Sequence, residues 1–296
     1  MSPGEAPFRL TPGDVERARA GLLRYLRPTP LRESGALPGL DLRLKLECWQ
    51  PTGSFKVRGA LHALSTLDEE ERGRGVVAAS AGNHALGVAY AASRLGGAVR
   101  ATLFVPRTAP RAKVDKLRRF PVAVRETGET YDDAVVAAHA FARETGAVYV
   151  HAFEDRQTAA GQGTVGLEVM EECPEVATVV VPVGGGGLIA GVATAVKARA
   201  PDVRVVAVQP SASPALRESL RAGRALLTYP AGPTLADGLA GGIGQVAFDH
   251  RDLVDEVVTV SEEEIGDAIV ALVAQDQVVA EASGAVGVAA LRAGRV

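Results

Sequence analysis

A lysine set in a Gly/Ser turn is the first feature with chemical consequence: Pro51-Thr52-Gly53-Ser54-Phe55-Lys56-Val57-Arg58-Gly59-Ala60. It follows the alternating run Leu42-Arg43-Leu44-Lys45-Leu46-Glu47 and precedes a helix-like apolar pattern. Lys56 therefore stands at an element junction, where reactive groups are often held. An amine partly shielded from water loses basicity and becomes nucleophilic, which suits Schiff-base chemistry. Taken alone, the decapeptide is read more simply as a surface lysine opening a helix.

Two further motifs change that balance. Val181-Pro182-Val183-Gly184-Gly185-Gly186-Gly187-Leu188-Ile189-Ala190-Gly191 runs from an apolar strand through four glycines into a helix. Glycines let the backbone approach an anion and turn successive N–H groups toward it, and the helix start adds a positive dipole end. Phosphate is the natural guest; a turn needed only for tight packing is the plainer alternative. Ala79-Ser80-Ala81-Gly82-Asn83-His84-Ala85-Leu86-Gly87 also follows an apolar strand and opens a helix. Ser80, Asn83 and the local amides could hold a carboxylate or a ring hydroxyl, although simple capping by Ser80 explains that loop on its own. An amine nucleophile, a phosphate cradle and a polar oxyanion-type loop are together the parts needed to hold pyridoxal 5'-phosphate (PLP).

The glycine run also fits G-x-G-x-x-A, as Gly185-x-Gly187-x-x-Ala190. A dinucleotide site would place an acid at the end of the next strand. That strand, Val203–Val208, is followed by Gln209. No G-x-x-x-x-G-K-[ST] or G-x-S-x-G motif points to triphosphate hydrolysis or to a hydrolase elbow.

The elements that must position these motifs alternate. Strands are expected at Leu42–Leu46, Val76–Ala79, Ala101–Val105, Val122–Val124, Val148–His151, Thr178–Val183 and Val203–Val208. Helices are expected at Asp14–Leu26, Arg58–Ser65, Ala85–Leu95, Arg111–Arg119, Tyr131–Glu144, Thr164–Glu172, Leu188–Arg199 and Glu262–Asp276. Strand–helix alternation of this length predicts βαβ units and parallel sheets, an α/β fold. Thr11-Pro12 reads as the start of the first helix, a capping hydroxyl followed by proline.

The chain has 296 residues, 47% hydrophobic and 23% charged, with a net charge of -3. These values suit one large or two smaller globular domains. No basic block suggests nucleic acid, and the longest apolar runs are strand-sized, so no membrane span is expected. Met1 to Thr11 lacks the basic start and apolar run of a signal peptide. Cys48 and Cys173 form no C-x-x-C and read as free thiols of a reducing, cytoplasmic setting. The histidines (His62, His84, His139, His151 and His250) make no ligand cluster, so no metal site is expected.

With these motifs in hand, the chain resembles the fold type II PLP enzymes, the tryptophan synthase β-like group, and within it the threonine/serine dehydratase branch. Thr52 to Ala60 looks like that branch's cofactor-lysine motif, Ser80 to Ala85 like its substrate-carboxylate loop, and Gly184 to Leu188 like its phosphate loop. Ala160-Gly161-Gln162-Gly163-Thr164, Thr234-Leu235-Ala236-Asp237-Gly238 and Val279-Ala280-Glu281-Ala282-Ser283-Gly284-Ala285 match in order and spacing. The resemblance implies two parallel-sheet domains with the cofactor in the cleft between them. The smaller, residues 49–147, would be inserted in a larger one of residues 1–48 and 148–296. It implies that Lys56 carries the cofactor, with Phe55 beside it, and that Asn83 contacts the ring hydroxyl oxygen. Gly184, Gly185, Gly186, Gly187 and Leu188 would bind the phosphate, and Glu281 would lie near the ring. Ser80, Ala81, Gly82, Asn83 and His84 would surround the substrate carboxylate.

The implied reaction is dehydration of L-threonine or L-serine to a 2-oxo acid and ammonia by a homodimer or homotetramer. Related readings are a lyase for another β-hydroxy amino acid, such as hydroxyaspartate or an ectoine-derived substrate, or a serine racemase. A dinucleotide-binding α/β protein is the alternative from a different class. Racemases of the group carry a second serine where this chain has Ala81, and a cation-binding glutamate and aspartate where it has Gln209 and Ala215. Racemization and a bound cation are therefore not expected. The group's Ser/Thr-Gly-Gly-Asn motif, whose hydroxyl meets the pyridine nitrogen, would follow the Glu281 segment at a point beyond Val296.

Overall fold

Runs of β-branched residues form the strands, and alanine-rich segments with capped starts form the helices between them. The computed structural model describes residues 9–296, so most of the N-terminal segment read for a signal peptide lies outside the described residues. In chain order the elements are α1 Pro12–Leu22, β1 Leu31–Glu33, β2 Arg43–Lys45, α2 Lys56–Ser65, α3 Glu69–Arg74, β3 Val76–Ala79, α4 Asn83–Arg94, β4 Ala101–Val105, α5 Arg111–Leu117, β5 Ala123–Glu126 and α6 Tyr131–Thr145. There follow β6 Val148–Tyr149, α7 Arg156–Glu172, β7 Thr178–Pro182, α8 Gly187–Arg199, β8 Arg204–Pro210, α9 Ala215–Ala222, α10 Gln245–Asp249, β9 Glu256–Val260, α11 Glu262–Asp276 and α12 Ala282–Arg292.

The chain divides into two compact units. One comprises Glu16–Arg27 and Trp49–Gln162; the other comprises Met1–Val15 (described from Arg9), Pro28–Cys48 and Gly163–Val296. The first of these takes more chain than residues 49–147. β6 joins its sheet beside β3, with Val76 paired to Val148. Leu22 and Leu26 bury themselves with Leu61 and Leu64 of α2.

In the unit that carries Lys56, a parallel sheet runs β5-β4-β3-β6. Both faces are covered, as a parallel sheet requires. Val76, Ala78 and Leu103 pack with α2 and α4, while Val77, Ala79 and Phe104 pack with Ala134 and Ala138 of α6. The strand order reverses at β3: β4 lies on one side and β6 on the other. Ligands of open α/β sheets bind beyond the carboxyl ends of the strands at such a reversal, and the Ser80 loop leaves β3 at that point.

The other unit holds a parallel sheet β7-β8-β9 and an antiparallel pair β1-β2. Val208 and Val260 pack with Ile265, Leu272, Val286 and Ala289 of α11 and α12. Lys45 of β2 is tied to Glu168 at 2.9 Å and Glu172 at 2.5 Å on α7. Cys48 and Cys173 are free thiols. Among the described residues no helix is long and apolar enough to cross a membrane, and no group of three His, Cys, Asp or Glu gathers as metal ligands would.

Helices at the motifs begin earlier than the sequence pattern suggests. α2 starts at Lys56 rather than Arg58, α4 at Asn83 rather than Ala85, and α7 at Arg156 rather than Thr164. The α7 difference comes from glycines that look like breakers and serve packing. A Cβ on Gly161 would lie 2.6 Å from Gly59 Cα. On Gly59, the Cβ would lie 2.3 Å from Gln162 Nε2 and 2.5 Å from the Thr158 carbonyl oxygen. Gly59→Ala is thus expected to destabilise the protein. The clash costs about 1–3 kcal/mol, against a helix-propensity gain of at most about 1 kcal/mol. Thermal unfolding should show a drop of a few degrees, and an unchanged midpoint would contradict the close approach of α2 and α7.

Candidate active site

Within its own unit, Lys56 is the first residue of α2 and is half-buried. Its Nζ donates to the Ala152 carbonyl oxygen at 3.0 Å and lies 5.3 Å from the centre of the Phe55 ring. Ala152 stands just past the carboxyl end of β6. Gly87 of α4 permits close packing beneath the lysine, since a Cβ there would approach the Lys56 carbonyl oxygen to 3.0 Å. The junction expected for Lys56 is therefore a helix start pressed against a second helix at the sheet's carboxyl end.

The Ser80 loop lies at that same end. Ser80 Oγ accepts from the Gly82 amide at 3.1 Å, which shapes the turn. α4 then begins at Asn83 with Gly82 as its N-cap, and no side chain caps it. Three helices, α3, α6 and α11, are instead capped reciprocally: Asp68 with Glu71, Thr130 with Asp133, Ser261 with Glu264. The start of a helix favours negative charge, as a substrate carboxylate would bring.

His84 is 4% exposed, and its Nε2 lies 2.9 Å from the Val150 carbonyl oxygen. A carbonyl only accepts, so Nε2 carries the proton and Nδ1 is left as an acceptor. Nδ1 is buried and has no hydrogen-bond partner. Burial, followed by the nearby Lys56 cation, pulls the pKa of His84 down to about 3. His151 is lowered to about 4, again by burial first and then Lys56; its Nδ1 accepts from the Phe153 and Glu154 amides. The imidazoles beside Lys56 are thus neutral.

These shifts set an acid limit on stability. His84, His151 and His250 are all lowered, each chiefly by burial, so the unfolded chain binds protons that the folded chain refuses. Stability is complete above the unfolded histidine value of about 6.5 and falls as pH drops toward the folded values, by up to about 1.4 kcal/mol per pH unit per histidine. The lowered carboxylates Asp133, Glu175, Asp252, Asp255 and Glu264 act at lower pH. Urea midpoints should fall between pH 7 and pH 5 and stay level from pH 7 to 8. A level profile from 7 to 5 would contradict the neutral burial of these rings.

The glycine run lies in the other unit, at the carboxyl end of β7. α8 begins at Gly187 with Gly186 as its N-cap, and no side chain caps it. Gly186 has φ +94°, a conformation that favours glycine. A Cβ at Gly186 would fall 2.2 Å from Ala247 Cβ, and one at Gly184 would fall 3.0 Å from the Gly238 carbonyl oxygen. Behind the run, the Gly185 carbonyl accepts from the Gly244 amide at 2.9 Å. The cradle therefore needs glycine for backbone shape and for close packing, and α8 presents uncapped amides at its start.

Glu281 is exposed and forms the N-cap of α12. It reaches the edge of the glycine run through Gly238: a Cβ on Gly238 would meet Glu281 Oε1 at 3.8 Å, and the Gly238 amide donates to Ser283 Oγ at 3.1 Å. The structure thus gathers Phe55, Lys56, Ser80 to His84 and Ala152 in one unit, and Gly184 to Leu188 with Glu281 in the other. Gly238 and Ser283 belong to motifs that the sequence shows but gives no role, and Ala152 carries no sequence signal at all. Ala152 contributes only a backbone oxygen, for which no side-chain signal exists.

A family model for pyridoxal-phosphate dependent enzymes matches residues 22–296. The chain belongs to the pyridoxal-phosphate-dependent enzyme family. It is 49% identical over 287 residues to an L-threonine ammonia-lyase of Thermotoga maritima, covering 95% of this chain and 71% of that protein. Among solved structures it is similar to a threonine deaminase from T.th., with a TM-score of 0.89, 39% identity, and 97% and 94% of the two chains covered. It is also similar to maize serine racemase, with a TM-score of 0.91, 36% identity, and 96% and 86% covered. The fold is α/β with parallel sheets, that of the fold type II members of this PLP-dependent family. The cofactor is PLP, and the residues present fit it. The glycine cradle has no room for a Cβ at Gly186, α8 offers uncapped amides, and Lys56 meets a neutral carbonyl beside an aromatic ring.

Proposed function

We propose that this chain is a PLP-dependent dehydratase that converts L-threonine, and L-serine, to a 2-oxo acid and ammonia. The observation that carries the reading is the chain's likeness to the Thermotoga L-threonine ammonia-lyase over 95% of its length; Lys56 at the start of α2 and the glycine run at the start of α8 support it. The two compact units would be the large and small domains of the family. The protein would act in the cytoplasm as a homodimer or homotetramer.

Each residue then has a task. Lys56 Nζ carries the cofactor and later takes the substrate's α-proton, a general-base step. Phe55 flanks the amine. Amides of Gly184 to Leu188 bind the cofactor phosphate, and Asn83 meets the ring hydroxyl oxygen. When bound, PLP supplies an electron sink for the pair left at the α-carbon. Glu281 lies at the edge of the ring site. Ser80, Ala81, Gly82, Asn83 and His84 receive the substrate carboxylate. With a pKa of about 3, His84 serves as a neutral hydrogen-bonding group there and brings no positive charge.

A racemase is the second reading, favoured by the likeness to maize serine racemase. Ala81 argues against it, because a methyl group cannot return a proton to the face opposite Lys56. Purified protein should turn L-threonine into 2-oxobutyrate with one ammonia each, and L-serine into pyruvate faster than into D-serine. Ala81→Ser should raise D-serine formation severalfold. Chiral chromatography and 2-oxo acid detection on a panel that includes 3-hydroxyaspartate decide the matter. Faster D-serine than pyruvate formation in the wild type would overturn the reading.

A further inference from the structure

We propose that Gln209 is a positioning residue for phosphate binding, holding both flanks of the glycine cradle through one buried amide. The proposal rests on reading Gly184 to Leu188 as the phosphate loop. Gln209 stands on β8 and is fully buried, at 0% exposure. Its Oε1 accepts from the amides of Leu216 at 2.9 Å and Arg217 at 3.2 Å, in the first turn of α9. The N-cap of α9 is Pro214, which supplies no side-chain cap, so Gln209 caps this helix from a distance. Its Nε2 donates to the Val183 carbonyl oxygen at 3.3 Å. The Val183 amide in turn donates to the Val208 carbonyl at 2.9 Å. Both polar backbone groups of the residue just before Gly184 are therefore fixed by β8.

The second flank follows from the other end of α9. Leu226 N donates to Ser219 Oγ at 3.0 Å. The Leu226 carbonyl accepts from Ile243 at 2.9 Å, and the Gly244 amide donates to the Gly185 carbonyl at 2.9 Å. A closed hydrogen-bonded ring thus runs from Val183 through Gln209, α9, Leu226 and Ile243–Gly244 to Gly185. The planar amide is the side chain suited to this place, because it offers an acceptor to the α9 amides and a donor to Val183 at once. A carboxylate offers acceptors only. Because Oε1 is already taken by two N–H groups, Gln209 is also committed away from any ribose or cation.

Two variants separate the parts. Gln209→Glu keeps the α9 cap and loses the donor to Val183; Gln209→Leu loses both. The full chain is stripped of cofactor, kept in EDTA, and titrated with PLP. Amide hydrogen exchange is followed at Val183–Leu188 and at Leu216–Arg217, with Gly186→Val as a control for the phosphate loop. Gln209→Glu should exchange faster at Val183–Leu188 while Leu216 and Arg217 stay protected, and should bind PLP about fivefold more weakly, roughly 1 kcal/mol. Gln209→Leu should lose protection in both segments and bind PLP more weakly still. With PLP saturating, KM for L-threonine should stay within about twofold, an outcome that general loosening of the fold would not give. Wild-type exchange at Val183–Leu188 in both variants overturns the proposal, as does wild-type PLP affinity in both while Gly186→Val has lost it. Wild-type PLP affinity in Gly186→Val overturns the phosphate-loop reading instead, and the exchange data still decide whether Gln209 holds the loop.

Discussion

Lys56→Ala is expected to lose at least about 10³-fold in turnover: in the proposed function one amine would both hold the cofactor and take the α-proton, and proton transfer alone contributes roughly 10²–10⁴-fold. The structure explains why no other lysine can substitute. Lys45 is committed to Glu168 and Glu172, and Lys197 to Asp255 at 2.8 Å. Lys113 and Lys116 are exposed on α5. Lys56 is half-buried, donates to the neutral carbonyl of Ala152 and faces the Phe55 ring. Lys56→Arg should fail as well, since a guanidinium neither forms the imine nor gives up its proton. Steady-state 2-oxo acid formation and the visible absorbance of bound cofactor check both variants. Turnover within tenfold of wild type in either one would contradict the assignment.

Gly186→Val should have the second-largest effect, on cofactor affinity. The position has φ +94°, and a Cβ there would meet Ala247 Cβ at 2.2 Å and Ile243 Cδ1 at 2.9 Å. Left-handed backbone costs a side chain about 1–2 kcal/mol, and overpacking adds about 1–3 kcal/mol. If these amides bind the cofactor phosphate as proposed and the loop relieves the clash by moving away from α10, the PLP dissociation constant should rise roughly 30- to 4,000-fold. Titration of the stripped protein with PLP measures it. Unchanged affinity would mean that these amides do not bind the phosphate.

Much of this architecture is legible in the sequence where local signals agree. The bounds of α11 coincide with its sequence pattern because Ser261 and Glu264 form a reciprocal cap before a periodic apolar run. β3 and β4 coincide because their runs are rich in residues that suit a covered sheet. Six elements lie outside the sequence pattern: β1, α3, α9, α10, β9 and α12. α12 is a run of Ala, Gly, Ser and Val with little polar contrast, buried along most of its length. β9, Glu-Val-Val-Thr-Val, is short and half-buried at all but its last position. In the site, Lys56, Asn83 and the glycines declare themselves by type and spacing. The Ala152 oxygen, the contact of Gly238 with Ser283 and the bonds of Gln209 do not. They join residues far apart in the chain, often through backbone atoms that every residue possesses.

The most direct test of the account is to trap the cofactor where it is held. Borohydride reduction of the loaded protein, followed by proteolysis and mass mapping, should place the pyridoxyl adduct on the peptide that contains Lys56. An adduct on Lys45, Lys113, Lys116 or Lys197, with Lys56 unmodified, would contradict the site described for this chain.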